Sequence, residues 1–207
     1  MPFITFEGVE GSGKSTQLGL LADRLAGGGL DVRKTREPGG TPLGAGLRAV
    51  LLDPAQRDLD PVAEFLLFEA DRRQHLREVV RPALAAGAWV LCDRFSDSTE
   101  AYQSAGRGLD GEWIAAVDGR VREGLVPDLT PLYDVDPAEG LSRTRRRDAR
   151  EGRFEAETLA FHERVSLAFR AIARREPARV AIVDARDDVA GVAARTWDAV
   201  ARRFGLS

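Results

Sequence analysis

Residues Gly8 to Thr16 read GVEGSGKST. They follow the apolar run Phe3, Ile4, Thr5, Phe6 and open a segment that places Leu18, Leu21, Ala22 and Leu25 at helical spacing. The reading is a strand over Phe3 to Glu7, a glycine loop, and a helix over Lys14 to Ala26 that ends at Gly27-Gly28-Gly29. Gly8, Gly13, Lys14 and Ser15 fill the pattern G-x-x-x-x-G-K-[ST]. Such glycines let successive N–H groups turn inward around a phosphate, the lysine reaches the outer phosphates, and the serine hydroxyl suits a magnesium ion. The helix that starts at Lys14 adds the positive end of its dipole. Lys14 and Lys34 are the chain's lysines, so composition works against finding one here by accident.

Working outward, strands and helices alternate to the end. Strands are expected at Asp31 to Thr35, Trp89 to Cys92, Leu129 to Asp134 and Val180 to Asp184. Helices are expected at Gly44 to Leu52, Pro61 to Ala86, Ser96 to Ser104, Glu112 to Glu123, Pro137 to Arg147, Glu155 to Glu176 and Val189 to Phe204. That alternation predicts a parallel sheet with helices on both faces. Trp89 to Cys92 is a nearly unbroken apolar run, the pattern of a strand buried on both sides. Ligands bind at the carboxyl ends of such strands, which puts Asp93 and Arg94 where magnesium and phosphate oxygens are held.

The 207 residues suit one domain, and 43% hydrophobic residues supply a core. The net charge of −3 gives no general basic footprint, which argues against nucleic acid as a partner. Cys92 is the lone cysteine, so no disulfide framework exists and a reducing compartment is expected. No stretch approaches the roughly 18 consecutive apolar residues of a membrane span, and MPFITFEG carries no basic leader; the protein is expected in the cytoplasm. His75 and His162 lie in helical patterns and are expected as surface or core histidines, outside the chemistry.

A loop for a nucleoside triphosphate serves kinases, motors, GTPases and transporters alike. No N-K-x-D segment for guanine is present, nor a transporter-type signature, nor the bulk of a motor domain. What remains is a small enzyme that moves the outer phosphoryl group to a small acceptor, with a nucleotide-binding regulatory ATPase as the rival from another class. Glu10 lies within the phosphate loop, where it would repel phosphate unless it faced the acceptor or a cation.

FEGVEGSGKST, TREPGGTPLG, DRFSDSTEAYQ, GRGLD and PDLTPLYDVDP stand in the order and spacing of bacterial thymidylate kinases, and the chain resembles that family over essentially its whole length. The resemblance implies an α/β, P-loop NTPase-type three-layer fold with a five-stranded parallel sheet and a mobile lid. It implies ATP and Mg2+, transfer to dTMP giving dTDP and ADP, and a homodimer, for which the helix Pro61 to Ala86 is a candidate interface. By the same resemblance Gly8, Val9, Glu10, Gly11, Ser12, Gly13, Lys14, Ser15 and Thr16 bind ATP, and Ser15 and Asp93 hold the metal. Phe68 stacks on thymine, Arg72 reads a thymine carbonyl, Ser98, Thr99 and Gln103 lie on the base side, and Tyr102 crowds the sugar. Arg36, Arg48 and Arg94 clamp the acceptor phosphate, with Glu37 and Pro38 shaping that pocket. On chemistry alone, Phe68 beside Phe65 reads as core and Arg72 beside Arg73 as a solvated face. A kinase for another nucleoside monophosphate or a deoxynucleoside is the nearest rival, with Phe68, Arg72 and Tyr102 as the discriminating pocket.

RTRRRDAREGRFE, Arg143 to Glu155, interrupts two helices with small and charged residues. In a kinase it makes a lid that closes over ATP, excludes water and brings arginine to the growing charge. The loop itself contains no arginine, so the chain resembles the lid-arginine class, with Lys14, Arg94, Arg153 and Glu10 as the catalytic set. Arg147 and Arg150 are alternatives to Arg153, because Gly152 stands where the family often has aspartate. Asp136 replaces a frequent threonine and is expected to cap the next helix equally well.

Overall fold

The computed structural model describes residues 1–56, 58–147 and 152–206, the side chain of Arg147 excepted. Its strands are Phe3–Phe6 (β1), Val32–Arg36 (β2), Trp89–Asp93 (β3), Thr130–Asp134 (β4) and Val180–Asp184 (β5). The helices are Lys14–Gly27 (α1), Pro42–Leu52 (α2), Pro61–His75 (α3), Arg81–Ala85 (α4), Ser96–Thr99 (α5), Gly111–Arg122 (α6), Pro137–Arg147 (α7), Leu159–Arg175 (α8) and Val189–Phe204 (α9). Leu76–Val80, wound as a π-helix, joins α3 to α4, so the expected long helix is one rod with a wide turn in it. Glu100–Gly106 is wound the same way after α5.

All strand pairs are parallel, in the order β1-β3-β2 for one ladder and β4-β5 for the other. A single five-stranded ladder was the expectation; the strands run as three plus two, and the seam has a chemical cause. Along it, Thr5 N–H donates to Leu129 O, Glu7 N–H to Pro131 O, and Tyr133 N–H to Glu7 O. The rung missing from that alternation would come from residue 131, and proline has no N–H to give. Isolated bridges from Ile4 to Leu129 and from Glu7 to Leu132 cross the seam, and the Thr5 and Thr130 hydroxyls meet at 2.8 Å.

β1 is buried at every residue, and β3 and β4 at all but the last, as strands covered on both faces must be. β2 shows Arg33, Lys34 and Arg36 to solvent, charges that discourage pairing at an open edge. The core gathers Ile4, Phe6, Leu91, Leu132 and Val183 of the strands with Leu21, Leu25, Val165, Ile172 and Val200 of α1, α8 and α9. Asp136 does cap α7, accepting from Ala138 N–H at 2.9 Å. The helix expected from Glu155 begins instead at Leu159, where the Thr158 side chain accepts from Phe161 N–H; Arg153 to Ala156 form a turn before it, with a bend at Glu157. That shift decides where Arg153 goes.

Candidate active site

The carboxyl ends of β1, β2 and β3 face a cleft of about 380 Å³. Its floor is the glycine loop. Gly11 lies so close to α7 that a Cβ there would sit 1.9 Å from Gly140 O, and a Cβ on Gly140 would sit 2.3 Å from Glu10 O, so this contact accepts glycine on both sides. Lys14 is buried, and its Nζ donates to Gly8 O and Val9 O, both at 3.0 Å. Burial first, then Arg94, pushes its pKa down to about 8. Ser15 Oγ donates to Asp93 Oδ2 at 2.5 Å, so the end of β3 and the start of α1 bring a hydroxyl and a carboxylate together beside the phosphate loop. Hard oxygen donors in that number suit Mg2+, which keeps several waters and takes its remaining ligands from phosphates. Among the described residues no group of three or more His, Cys, Asp or Glu side chains is arranged around an ion position.

Arg94 follows Asp93 with φ of 70°, a left-handed conformation that costs a non-glycine residue about 1 kcal/mol or more. Its neighbours hold it there. Arg94 N–H donates to Phe6 O at 3.1 Å, the Cys92 thiol to Arg94 O at 3.0 Å, and Phe95 N–H to Glu7 Oε1 at 2.7 Å. The guanidinium then lies across the cleft, donating to Ser98 Oγ at 3.0 Å and to Glu10 Oε1 at 3.0 Å. Tyr102 O–H donates to the same Glu10 oxygen at 2.6 Å. Burial raises the Glu10 carboxyl's pKa, but the close approach of His162 Nδ1 to Oε2, 3.2 Å without hydrogen-bond alignment, together with Arg94, Lys14 and Tyr102, outweighs it and holds it down to about 2. Glu10 therefore faces cations and a phenol, the orientation that its place in the loop demanded.

The TREPGG stretch closes the next side. The Glu37–Pro38 peptide is cis, and Arg48 Nη1 donates to Pro38 O at 2.9 Å. Arg36 is exposed at the rim. Glu37 is buried between Arg72 Nε at 2.9 Å and His75 Nδ1 at 2.8 Å, and His75 Nε2 meets Thr35 Oγ1 at 2.6 Å. Arg72 is no solvated residue: it is 2% exposed and also donates from Nη1 to Glu69 and, at 2.9 Å, to Asp118. Phe68 is half-buried, 6.2 Å from Phe154, and with Leu52 and Phe154 forms an apolar wall. Thr99 and Gln103 are buried in the lining, with Gln103 Nε2 donating to Glu64 at 2.9 Å.

The cleft thus has a cationic end over the phosphate loop and an aromatic end against α3. A sequence model described as thymidylate kinase matches residues 6–195 of the chain. The chain belongs to the thymidylate kinase family. It is 50% identical to a thymidylate kinase of Magnetococcus marinus over 205 residues, covering 99% of this chain and 98% of that one. It is 54% identical to one from Gloeobacter violaceus over 202 residues, covering 96% and 93%. Among solved structures, the thymidylate kinase of Ehrlichia chaffeensis superposes with a TM-score of 0.78 at 36% identity, covering 96% of this chain and 97% of that one.

Against what the thymidylate kinase resemblance implies, the cleft lining includes Glu10, Gly11, Gly13, Lys14, Ser15 and Thr16 from the loop and Arg36, Glu37, Pro38 and Arg48 from the acceptor side. Phe68, Arg72, Asp93, Arg94, Ser98, Thr99, Tyr102 and Gln103 complete it. Gly8, Val9 and Ser12, also of the loop, are buried. Arg153 is not in that lining. It is 5% exposed, and its guanidinium turns toward α2 and α3, donating to Gln56 O at 2.9 Å, Leu51 O at 3.2 Å and the Glu64 carboxylate. The turn before α8 swings this side chain off the cleft, and Phe154 lines it instead. Arg150 and the side chain of Arg147 lie outside the described residues. Sequence reasoning missed Phe154, Glu7, Glu64 and His162. Phe154, beside Arg153 in the GRFE stretch, was the one with a visible signal.

Proposed function

We propose that the chain carries the terminal phosphoryl group of ATP to dTMP, giving dTDP and ADP, with both substrates in the one cleft. The observation that carries this is the two-ended lining: a phosphate loop and Arg94 at one end, Phe68 and Arg72 at the other. Gly8 to Thr16 cradle ATP. Ser15 and Asp93 would hold Mg2+, which supplies charge neutralisation on the phosphates when bound. Arg36, Arg48 and Arg94 clamp the acceptor phosphate, with Glu37 and Pro38 as its wall, and Phe68 stacks on the base. Arg72 spends Nε and Nη1 on carboxylates, so Nη2 is the nitrogen left for a thymine carbonyl. Ser98, Thr99 and Gln103 border the base, and Tyr102 borders the sugar.

Phosphoryl transfer asks the protein for positioning and charge more than for covalent chemistry. Lys14 and Arg94 supply the charge, and Glu10 sets the direction of Arg94. Arg153 reaches the transferring group only by leaving Glu64, so in the described conformation it ties the turn at 153–156 to α3. We read residues 1–207 as one domain in which the two ladders work as a single five-stranded sheet. A cytoplasmic location suits the free Cys92 thiol. A homodimer is part of the same reading; Val62 and Leu66 of α3 and Trp113 of α6 are exposed apolar residues that a second copy would cover. No described helix is long and apolar enough to cross a membrane.

ADP release from magnesium-ATP, measured with dTMP, dUMP, UMP, dCMP and AMP offered separately, tests this. Strong preference for dTMP supports the assignment. Preference for another monophosphate would overturn the thymine pocket, and no stimulation by any of them would overturn the kinase.

A further inference from the structure

His162 sits on α8, outside every motif that carries the chemistry, and its side chain is 1% exposed. A buried imidazole needs partners for both nitrogens, yet neither Nδ1 nor Nε2 has a hydrogen-bond partner among the described residues. Glu10 Oε2, on the phosphate loop, is in the same condition. These two orphans face each other: His162 Nδ1 lies 3.2 Å from Glu10 Oε2, within reach but off the hydrogen-bond direction. The other Glu10 oxygen is fully used by Arg94 and Tyr102. Phe161 packs edge-on against the imidazole, with ring centroids 5.4 Å apart.

We propose that His162 is a positioning residue for Glu10, donating from Nδ1 to Oε2 when the acceptor nucleotide is bound. The inference rests on the phosphoryl-transfer reading above. Arg94 now donates to Glu10, and the same guanidinium must turn to an incoming phosphate. Once it does, the buried Glu10 carboxylate loses its direct cation and needs a replacement donor. Tyr102 already gives its one proton to Oε1. His162 is the group on the far side, and a small rotation of either side chain brings Nδ1 and Oε2 into line. The neutral tautomer with the proton on Nδ1 also fits best, because it leaves no N–H stranded at the buried Nε2.

Two variants separate this role from simple packing. In His162→Asn the amide nitrogen falls near the position of Nδ1, and in His162→Gln near that of Nε2. The proposal expects His162→Asn to stay close to wild type in the KM for dTMP. His162→Gln and His162→Leu raise it roughly tenfold or more, the loss of a hydrogen bond to a charged group, while the KM for ATP stays unchanged. Equal KM values for dTMP in the Asn and Gln variants overturn it, as does a parallel rise in both Michaelis constants. A wild-type measurement keeps the test independent of whether the variants fold. The chain has two histidines, so the long-range 1H–15N spectrum of the 15N-labelled protein with dTMP resolves the ring protons of His162. A proton on Nδ1 supports the proposal, and protonation at Nε2 alone overturns it. If dTMP neither binds nor stimulates ADP release, the substrate reading fails first, an outcome distinct from either histidine result.

Discussion

Arg72→Met is the substitution that tests the cleft's architecture most severely. The methionine keeps most of the side chain's length and its packing, and removes the charge. Arg72 is 2% exposed and shares its protons among Glu37, Glu69 and Asp118, all buried, on three separate pieces of chain. Deleting one partner from a buried ionic cluster costs about 3–5 kcal/mol, because the remaining charge is left without compensation. At roughly 2–4 °C per kcal/mol for a chain of this size, that is a fall in Tm of roughly 6–20 °C. The sign of the pH dependence follows from Glu69. Burial pushes its pKa from 4.5 up to about 7 even though Arg72 opposes the shift, and removing Arg72 removes that opposition. A carboxyl whose folded pKa exceeds its unfolded value contributes stability below the unfolded pKa, and that contribution drains away as pH rises through the folded one. The variant's deficit is therefore smaller near pH 5 and larger near pH 8. Urea denaturation of both proteins at the two pH values measures it. A deficit under about 1 kcal/mol, or one that does not grow with pH, would refute the claim that Arg72 is the cluster's required cation.

Three further outcomes follow from the same geometry. Lys14→Ala abolishes transfer in the ADP-release assay, and retained activity would remove the loop from the mechanism. Ser15→Ala and Asp93→Asn each raise the Mg2+ concentration needed for half-maximal rate, since each deletes one of the paired oxygen donors; a magnesium titration unchanged in both variants counts against the assigned ion position. Arg153→Ala lowers stability by roughly 1.5–3 kcal/mol, the value of hydrogen bonds to a charged group, and reduces kcat less than about tenfold. A hundredfold loss of kcat at unchanged Tm would instead put that arginine on the transferring phosphoryl group.

What was legible in the sequence was local. The phosphate loop announces itself because its chemistry needs glycines, a lysine and a serine within nine consecutive residues, between a strand and a helix. The position of Asp93 and Arg94 at the cleft was legible because the end of a buried strand has a known relation to ligands. Phe68, Arg72 and Tyr102, the residues proposed for the acceptor, carried no such signal of their own; resemblance singled them out, and chemistry alone would have assigned Phe68 to core and Arg72 to surface. The place of Arg153 was not legible, because the helix start was read four residues early, at Glu155 where Leu159 begins it. Its partner Glu64 lies 89 residues away on another helix, a pairing that no periodicity shows. The histidines are buried, as a core reading allowed, but their partners were hidden for the same reason. His75 wires Glu37 to Thr35, and His162 lies against the phosphate loop, through contacts that only the packing of the helices creates.

The cleft holds its cations on internal partners. Lys14 is on loop carbonyls, Arg94 on Glu10 and Ser98, and Arg48 on the carbonyl of Pro38. Burying those charges without partners would destabilise the fold, so each has one within the protein. Binding therefore exchanges one partner for another, and the net gain from each phosphate contact in the ground state is small. The balance changes as charge grows on the oxygens in flight, because the same lysine and arginine then face more charge than the carbonyls or Glu10 can match. Interactions that strengthen along the reaction raise turnover; interactions that are already complete in the bound state do not. On that argument the partners these cations leave matter as much as the phosphates they meet, and Glu10, which must stay ionised and in place after Arg94 turns away, is the residue on which the exchange depends.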